Sequence, residues 1–460
     1  MKKFKNRMSQ AHQKIHIIAI GGAVMSSLAV ALKNKGMTVS GSDDKIYDPA
    51  ASLLNTNELL PSEMGWNADN IDNSLDAIIV GMHAKSDNPE LLKAQELGIR
   101  IWSYPEFIRA QADDKQRIVI TGSHGKTTIT GCIIHVLNYW GKDFDYVIGA
   151  KIEGIKETIK LSNAPVIIIE GDEYFTSPLD PEPKFLKYDH HIALISGTSW
   201  DHINVYPTEE SYLTQFEKLA DRTPKAGTLI YCSEDKHANK IASKERDDVK
   251  PVPYKTPKYK VNDAQFVING DTPVKLFGKH NMQNMEGARL ILDRIGITDE
   301  QFYEAISSFE GAYKRNNLLA QNAKTSVYTD FAHAPSKLAA TASALKELYP
   351  KRKLVACYEL HTFSSLNKDF LGNYKGAFNA PEEAIVYFDN GLIEEKKYAS
   401  ISEEDIKKSF NRKDIKVFTD SSELETYLLD MNWQEKNLIF MSSGTFGGLD
   451  LASMAASIIQ

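Results

Sequence analysis

The chain has 460 residues, enough for about three domains that each bury their own core. Charged residues make up 25% and apolar residues 42%, which excludes a disordered chain, and the net charge of −7 disfavours a general nucleic-acid binder. Cys132, Cys232 and Cys357 are isolated, with no C-x-x-C spacing, as expected of a chain kept in the reducing cytoplasm.

The first domain is expected over residues 1–113. A basic start, Lys2 to Lys14, precedes a largely apolar run from Ile15 to Leu32, and Ala29-Val30-Ala31 mimics a signal cleavage site. The run divides better into a strand, Ile15–Ile20, a Gly21-Gly22 turn and a helix from about Val24. Cleavage would remove that whole unit and leave the next strand, Met37 to Ser40, without a neighbour. No membrane partner is expected. The turn Gly21-Gly22-Ala23-Val24-Met25-Ser26 lacks the later glycines of a dinucleotide fingerprint. The second strand ends in Ser40-Gly41-Ser42-Asp43, an acidic residue about 20 positions on, where a ribose hydroxyl would sit. Nicotinamide binding and a purely structural turn both stay open at this point. Gly81-Met82-His83-Ala84 and Ser86 to Glu90 precede a further helix, and Asp113-Asp114-Lys115 reads as a polar hinge.

The central domain, residues 114–323, opens on Arg117-Ile118-Val119-Ile120-Thr121-Gly122-Ser123-His124-Gly125-Lys126-Thr127-Thr128. Ile118 to Ile120 form a β-branched strand, and a helix follows from Thr128 to Leu137. Strand, glycine loop, lysine and threonine at a helix start make a phosphate cradle: backbone N–H groups and the positive helix end face the anion, Lys126 adds a charge, and the Thr127 hydroxyl can ligate Mg²⁺. Ile120 stands where the first glycine of the standard loop belongs. A second buried strand, Val166–Ile169, ends in Glu170, Asp172 and Glu173, and a carboxylate opposite a phosphate loop is a natural Mg²⁺ ligand. A third, Ile192–Ile195, leads to Trp200-Asp201-His202. Phe277 to Asn284 places His280 and Asn284 on one face of a helix start. An amide there can read an adenine edge while an imidazole packs on the ring. Lys314-Arg315 is a basic pair near the domain end.

The third domain, residues 324–460, alternates strands (Thr325–Thr329, Leu354–Cys357, Ala384–Tyr387, Leu438–Met441) with helices, as in a smaller doubly wound sheet. Asp330-Phe331-Ala332-His333-Ala334-Pro335 opens a helix, and Ser442 to Gly448 forms a glycine loop after the last strand. Polar groups follow the strand that starts at Leu354: Glu359, His361, Ser364, Ser365 and Asn367, with Lys368 just beyond. Ligands favour such strand ends. No spacing supports zinc, and no Ser-His-Asp order can be assigned.

These blocks, T-G-x-x-G-K-T-T, G-G-x-x-M-S, G-S-D, G-x-H-N-x-x-N, Lys314-Arg315 and D-x-x-H-x-P, resemble the Mur ligase family, the ATP-dependent amide ligases of peptidoglycan precursor synthesis. The resemblance runs along nearly the whole chain. It implies an α/β protein of three domains: a Rossmann-like UDP-binding domain, a central P-loop ATPase domain and a Rossmann-like acceptor domain. The UDP end of UDP-N-acetylmuramate would then meet Gly21, Gly22, Ala23, Met25, Ser26, Ser42, Asp43 and His83. ATP would meet Gly122 to Thr128, His280, Asn281, Asn284, Arg315, Asp330 (on the ribose) and His333. Lys126, His202, Lys314 and Arg315 would be catalytic, and Mg²⁺ would lie at Thr127, Glu170 and His202.

Three departures from the family pattern stand out: Gly197 where an asparagine is usual, Asn204 where an aspartate is usual, and Asn316 where a second arginine often follows Lys314-Arg315. Within the family, Glu170 to Tyr174 with Pro183-Lys184-Phe185 looks most like the branch that attaches L-Ala-γ-D-Glu-meso-diaminopimelate. The alanine-adding branch, the alternative, usually has serine at Tyr174. Glu359 to Asn367 partly resembles the first branch's E-P-x-S-N-T segment, without its Pro and with His361 at its Arg position. The implied chemistry is carboxylate activation by ATP to an acyl phosphate, then displacement of phosphate by an amine. Outside the family, a nicotinamide dehydrogenase and a nucleotide-switch module stay open.

Overall fold

The computed structural model describes residues 13–460, apart from 83, 150, 151, 153, 154, 156, 178, 179, 201–204, 245, 312–314 and 397. Its contacts divide into two compact units, one ending at Tyr254 and one running Lys255–Gln460. That division falls inside the range 114–323 expected for the central domain.

Two parallel sheets build the first unit. One has four strands in the order Thr38–Ser42, Lys14–Ile18, Ala77–Val80, Arg100–Ser103. The other has seven, in the order Lys250–Tyr254, Thr228–Cys232, Ile192–Ile195, Gln116–Thr121, Val166–Glu170, Asp145–Val147, Ile159–Lys160, with only the last strand antiparallel. Ile118, Ile168 and Leu194 are fully buried because helices cover both faces, which is why these strands read as unbroken apolar runs. The helix Tyr104–Gln111 starts with a Ser103/Glu106 capping box. It buries Tyr104, Phe107 and Ile108 in the same core as Phe185, Leu186 and Tyr188 of the central sheet's layer.

The expected hinge is therefore only partly solvated. Asp113 and Asp114 are exposed, but Lys115 is buried. Its ammonium donates to the carbonyls of Ser162 at 2.9 Å and Ala164 at 2.6 Å and lies 3.1 Å from buried Asp145. A charge taken out of water needs partners of this kind, and they tie the start of the strand to the sheet.

The second unit holds a three-stranded antiparallel sheet over Tyr259–Val274, the helices Lys279–Arg294 and Asp299–Ile306, and a six-stranded sheet. The six strands run Asn317–Gln321, Ser326–Asp330, Lys436–Met441, Lys353–Glu359, Glu383–Tyr387, Lys416–Phe418, parallel except the first. This is the doubly wound sheet expected from the alternating pattern. Its topology sets the carboxyl ends of Lys353–Glu359 and Lys436–Met441 side by side.

Candidate active site

The strand Gln116–Thr121 ends at Gly122, whose φ is +126°. A Cβ there would lie 2.9 Å from the Gly197 backbone, with Ser196 Oγ nearer still, so only glycine fits. The loop is pinned to the neighbouring strand end: Ser123 N–H donates to the Gly197 carbonyl at 3.0 Å, and the Ser196 hydroxyl donates to the carbonyls of Thr121 and His124. Gly125, at φ +79°, starts the helix Lys126–Tyr139, and no acidic residue occupies its first turn. Ser123 Oγ is buried without a hydrogen-bond partner. An open positive helix end beside an unsatisfied hydroxyl suits an anion with several acceptor oxygens.

Around the loop the acids take separate partners. Lys126 Nζ donates to the Gly122 carbonyl at 2.6 Å and to both oxygens of buried Glu173 at 2.8 Å. Burial alone would push this ammonium down, but Glu173 overrides it and holds the pKa above the usual lysine value. The Thr127 hydroxyl donates to Glu170 Oε1 at 2.7 Å, and Glu170 Oε2 accepts from Gly149 N–H at 3.0 Å. Asp172 pairs with Lys184 at 2.6 Å; desolvation opposes its charge, and Lys184 keeps its pKa below the ordinary carboxylate value. Among the described residues no three His, Cys, Asp or Glu side chains gather as a metal cluster. The other expected ligand, His202, lies outside the described residues, as do Asn204, His83 and Lys314. Thr127 and Glu170 offer a hydroxyl and a carboxylate oxygen together, a hard-donor pair that fits Mg²⁺.

The departure at Gly197 has a local reason. A Cβ there would lie 2.7 Å from His124 Cε1, with Nε2 closer, so the imidazole occupies the space a larger residue would take.

In the first sheet, Asp43 is buried and binds its own chain: it accepts Gly21 N–H at 2.7 Å and Asp44 N–H at 2.9 Å. Burial pushes its carboxyl up. Met25, Ser26 and Ser42 are also buried. The Ser26 hydroxyl returns to the Ala23 carbonyl at 3.2 Å, and the Ser42 hydroxyl donates to Glu90. Gly21, Gly22 and Ala23 remain at the surface. Of the expected UDP contacts, the buried four lie behind the turn: Asp43 and Ser26 spend polar atoms on it, Ser42 is spent on Glu90, and Met25 packs in the apolar core. Buried His16, 2.9 Å from Ser40 Oγ and 3.4 Å from Glu90, completes this network. Its one signal in sequence was a histidine inside the apolar Ile15–Ile20 run.

In the second unit, the expected adenine-reading amides turn inward. Asn281 and Asn284 are buried; Asn281 Nδ2 donates to the Phe277 carbonyl at 2.9 Å, and Asn284 Nδ2 to Asn281 Oδ1 at 3.3 Å. His280 is half-buried beside them, with its imidazole pKa pushed down by burial. Asp330 accepts from Asn316 N–H and Ala332 N–H, both at 2.8 Å, and from the Thr341 hydroxyl at 3.2 Å. Both its oxygens thus hold the chain; Asn316, where a second arginine often stands, contacts Asp330 through backbone N–H alone and sits at φ +49°, a conformation asparagine tolerates. Arg315 lies 5.1 Å over the Phe331 ring, and His333 Nδ1 is 2.9 Å from the Phe331 carbonyl. Phe331 is a platform residue that sequence reasoning passed over.

At the end of Lys353–Glu359 the five acceptor candidates separate. Glu359 is buried, accepting from the Ser442 hydroxyl and from Phe446 N–H at 3.0 Å. Ser365 is buried against Thr362 at 3.0 Å. These two organise the loops and are not open to a ligand. Asn367 is exposed and caps a short helix through Asp369 N–H at 3.1 Å; His361 and Ser364 are half-exposed.

Residues 14–116 match the Mur ligase family catalytic domain, and residues 120–292 match the Mur ligase middle domain. The chain belongs to the Mur ligase family. Its members are ATP-dependent amide ligases, and this chain is one. It is 29% identical over 399 residues to a UDP-N-acetylmuramate–L-alanine ligase of Clostridium kluyveri, covering 82% of this chain and 83% of the relative. Its fold is similar to that of a UDP-N-acetylmuramate–alanine ligase of Thermotoga maritima, with TM-score 0.69, 22% identity and coverage of 97% and 98%. It is also similar to that of a murein peptide ligase of Psychrobacter arcticus, with TM-score 0.62, 22% identity and the same coverage of 97% and 98%. The parallel sheets match the three-domain fold of these Mur ligases, and the dehydrogenase and switch-module readings are set aside. Among the described residues, no helix of this Mur ligase is long and apolar enough to cross a membrane.

Proposed function

We propose that this Mur ligase joins UDP-N-acetylmuramate to the tripeptide L-Ala-γ-D-Glu-meso-diaminopimelate in cytoplasmic peptidoglycan recycling. The observation that carries the ATP chemistry is the pair of contacts at the loop mouth, Lys126 on Glu173 and Thr127 on Glu170. Tyr174, next to Glu173 and exposed, supports the peptide acceptor, since alanine-adding members usually have serine there.

In this reading the sugar carboxylate attacks the γ-phosphorus, ADP leaves, and an acyl phosphate forms. Ser123 to Thr128 hold the phosphates by backbone N–H groups and the helix end. Lys126 shifts its donors from Glu173 to the transferring phosphoryl, which needs most help where charge spreads over its oxygens. Mg²⁺ held at Thr127 and Glu170, with His202 as the expected further ligand, supplies charge neutralisation when bound. The acceptor amine then attacks the acyl carbon and phosphate leaves. Positioning by the loops supplies much of the remaining rate. In this reading the surface turn Gly21-Gly22-Ala23 takes the UDP end, His280 meets the adenine, Arg315 with Lys314 acts on the γ-phosphoryl group, and His361, Ser364 and Asn367 take the acceptor.

L-Alanine is the second reading, favoured by the name of the Clostridium kluyveri relative. ADP release measured with UDP-N-acetylmuramate and either acceptor decides between them. The tripeptide is expected to be much the faster at equal concentration; faster release with L-alanine overturns the tripeptide reading.

A further inference from the structure

Beyond the strand Lys353–Glu359 a large aromatic ring stands in water next to an ammonium group. Phe363 is 64% exposed, unusual for a side chain whose burial is worth about 2 kcal/mol. Lys396 Nζ lies 4.7 Å over its ring, and Tyr398 meets the same ring edge-on at 6.5 Å. Lys396 also donates to the His361 carbonyl at 3.3 Å, and no carboxylate among the described residues is within ion-pair distance of it. An ammonium has three donors, so two remain available. Nearby, His361 Nδ1 is buried without a hydrogen-bond partner, 3.8 Å from Glu359 Oε1. Glu359 itself is held by Ser442 and Phe446, so it does not neutralise Lys396.

The cluster thus offers a cation fixed over an apolar face, a long flexible side chain held in one place. Such a surface suits a carboxylate on a short aliphatic stem: the charge meets the ammonium and the methylenes cover the ring. Phe363 lies on the loop that carries His361 and Ser364, at the strand end assigned above to the acceptor, and Lys396 reaches it from the end of the helix Asn390–Glu395. We propose that Lys396 and Phe363 bind the carboxylate-bearing third residue of the peptide acceptor, Lys396 taking the carboxylate and Phe363 the stem. This rests on the peptide-acceptor reading above, and it supplies an ammonium beside the position where His361 replaces the family's arginine.

Steady-state ADP release tests it with wild type, Lys396→Met, Lys396→Arg and Phe363→Ala. Lys396→Met is expected to raise KM for the tripeptide about tenfold, leaving kcat and the KM values for ATP and UDP-N-acetylmuramate unchanged, and Lys396→Arg to keep most of the affinity. Phe363→Ala raises the same KM by a few-fold. A tripeptide with carboxamides on its third residue should lose about the same tenfold with wild type and nothing more with Lys396→Met. Both side chains reach the surface, so a circular-dichroism melt confirms folding. A tripeptide KM unchanged in Lys396→Met, or carboxamide and Met losses that multiply, overturns the inference while leaving the function reading intact. A wild type that turns over L-alanine but not the tripeptide overturns the function reading and this inference with it.

Discussion

Lys126 Nζ lies 2.8 Å from each carboxylate oxygen of Glu173, so the lysine that serves the phosphate is already half of a buried ion pair. Lys126→Ala should lower ATP turnover by at least about two decades. It should also destabilise the chain by roughly 3 kcal/mol, because Glu173 is left charged and enclosed. The double variant Lys126→Met/Glu173→Gln should recover most of that stability and none of the turnover. Urea melts and ADP release measured on the same preparations check both halves; near wild-type turnover in Lys126→Ala would remove the lysine from the chemistry.

Glu170→Ala is expected to raise the Mg²⁺ concentration for half-maximal rate by about tenfold, since it removes one charged oxygen from beside Thr127. His202→Ala should act in the same direction. A Mg²⁺ titration of the rate that coincides with wild type in both variants would make the two residues structural.

Gly197→Ala places a methyl where the His124 ring now lies. The phosphate loop must shift, and ATP affinity should fall about tenfold through a strain of 1–2 kcal/mol, roughly. His124→Ala in the same chain opens the space and should restore much of the affinity. Calorimetry of ATP binding reads this directly: equal losses in Gly197→Ala with and without His124 would disprove the steric account.

His190 is buried on Thr223, 2.9 Å from its hydroxyl, and burial pushes the imidazole pKa from 6.5 down to about 4. The unfolded chain therefore takes up this proton near pH 6.5 while the folded chain refuses it until about pH 4. Stability is fully present above pH 6.5 and falls as pH drops through that window, by roughly 3 kcal/mol at most from this group. His190→Gln should flatten the slope of unfolding free energy between pH 6.5 and 4 relative to wild type. Parallel slopes would show that another group carries the acid sensitivity.

The fold was legible where a strand is covered on both faces: Ile118–Ile120, Val166–Ile169, Ile192–Ile195 and Leu438–Met441 are unbroken apolar runs for that reason. The phosphate loop was legible because its geometry is local, a strand end, two glycines and a lysine in succession. What stayed hidden was pairing at long range. Nothing near Lys126 announces Glu173, 47 residues on, and nothing near Phe363 announces Lys396. Residue type also left open which way a polar side chain turns. Asn281, Asn284, Ser42 and Glu359 have the chemistry of ligand contacts, yet their atoms serve neighbouring backbone and side-chain groups.

Tyr104, Phe107 and Ile108 share one core with Phe185, Leu186 and Tyr188, and this bears on how the first unit melts. Apolar side chains join its two sheets in one cluster at that helix, so they cannot come apart without exposing those rings. Residues 13–254 should lose structure in a single cooperative heat-absorption peak. A fragment cut at Asp113 would show water three large apolar side chains, a deficit of roughly 5 kcal/mol that a small sheet does not have in reserve. Binding of a nucleotide sugar to the first sheet is thus a property to be measured on the intact chain, since that sheet draws its solidity from the next.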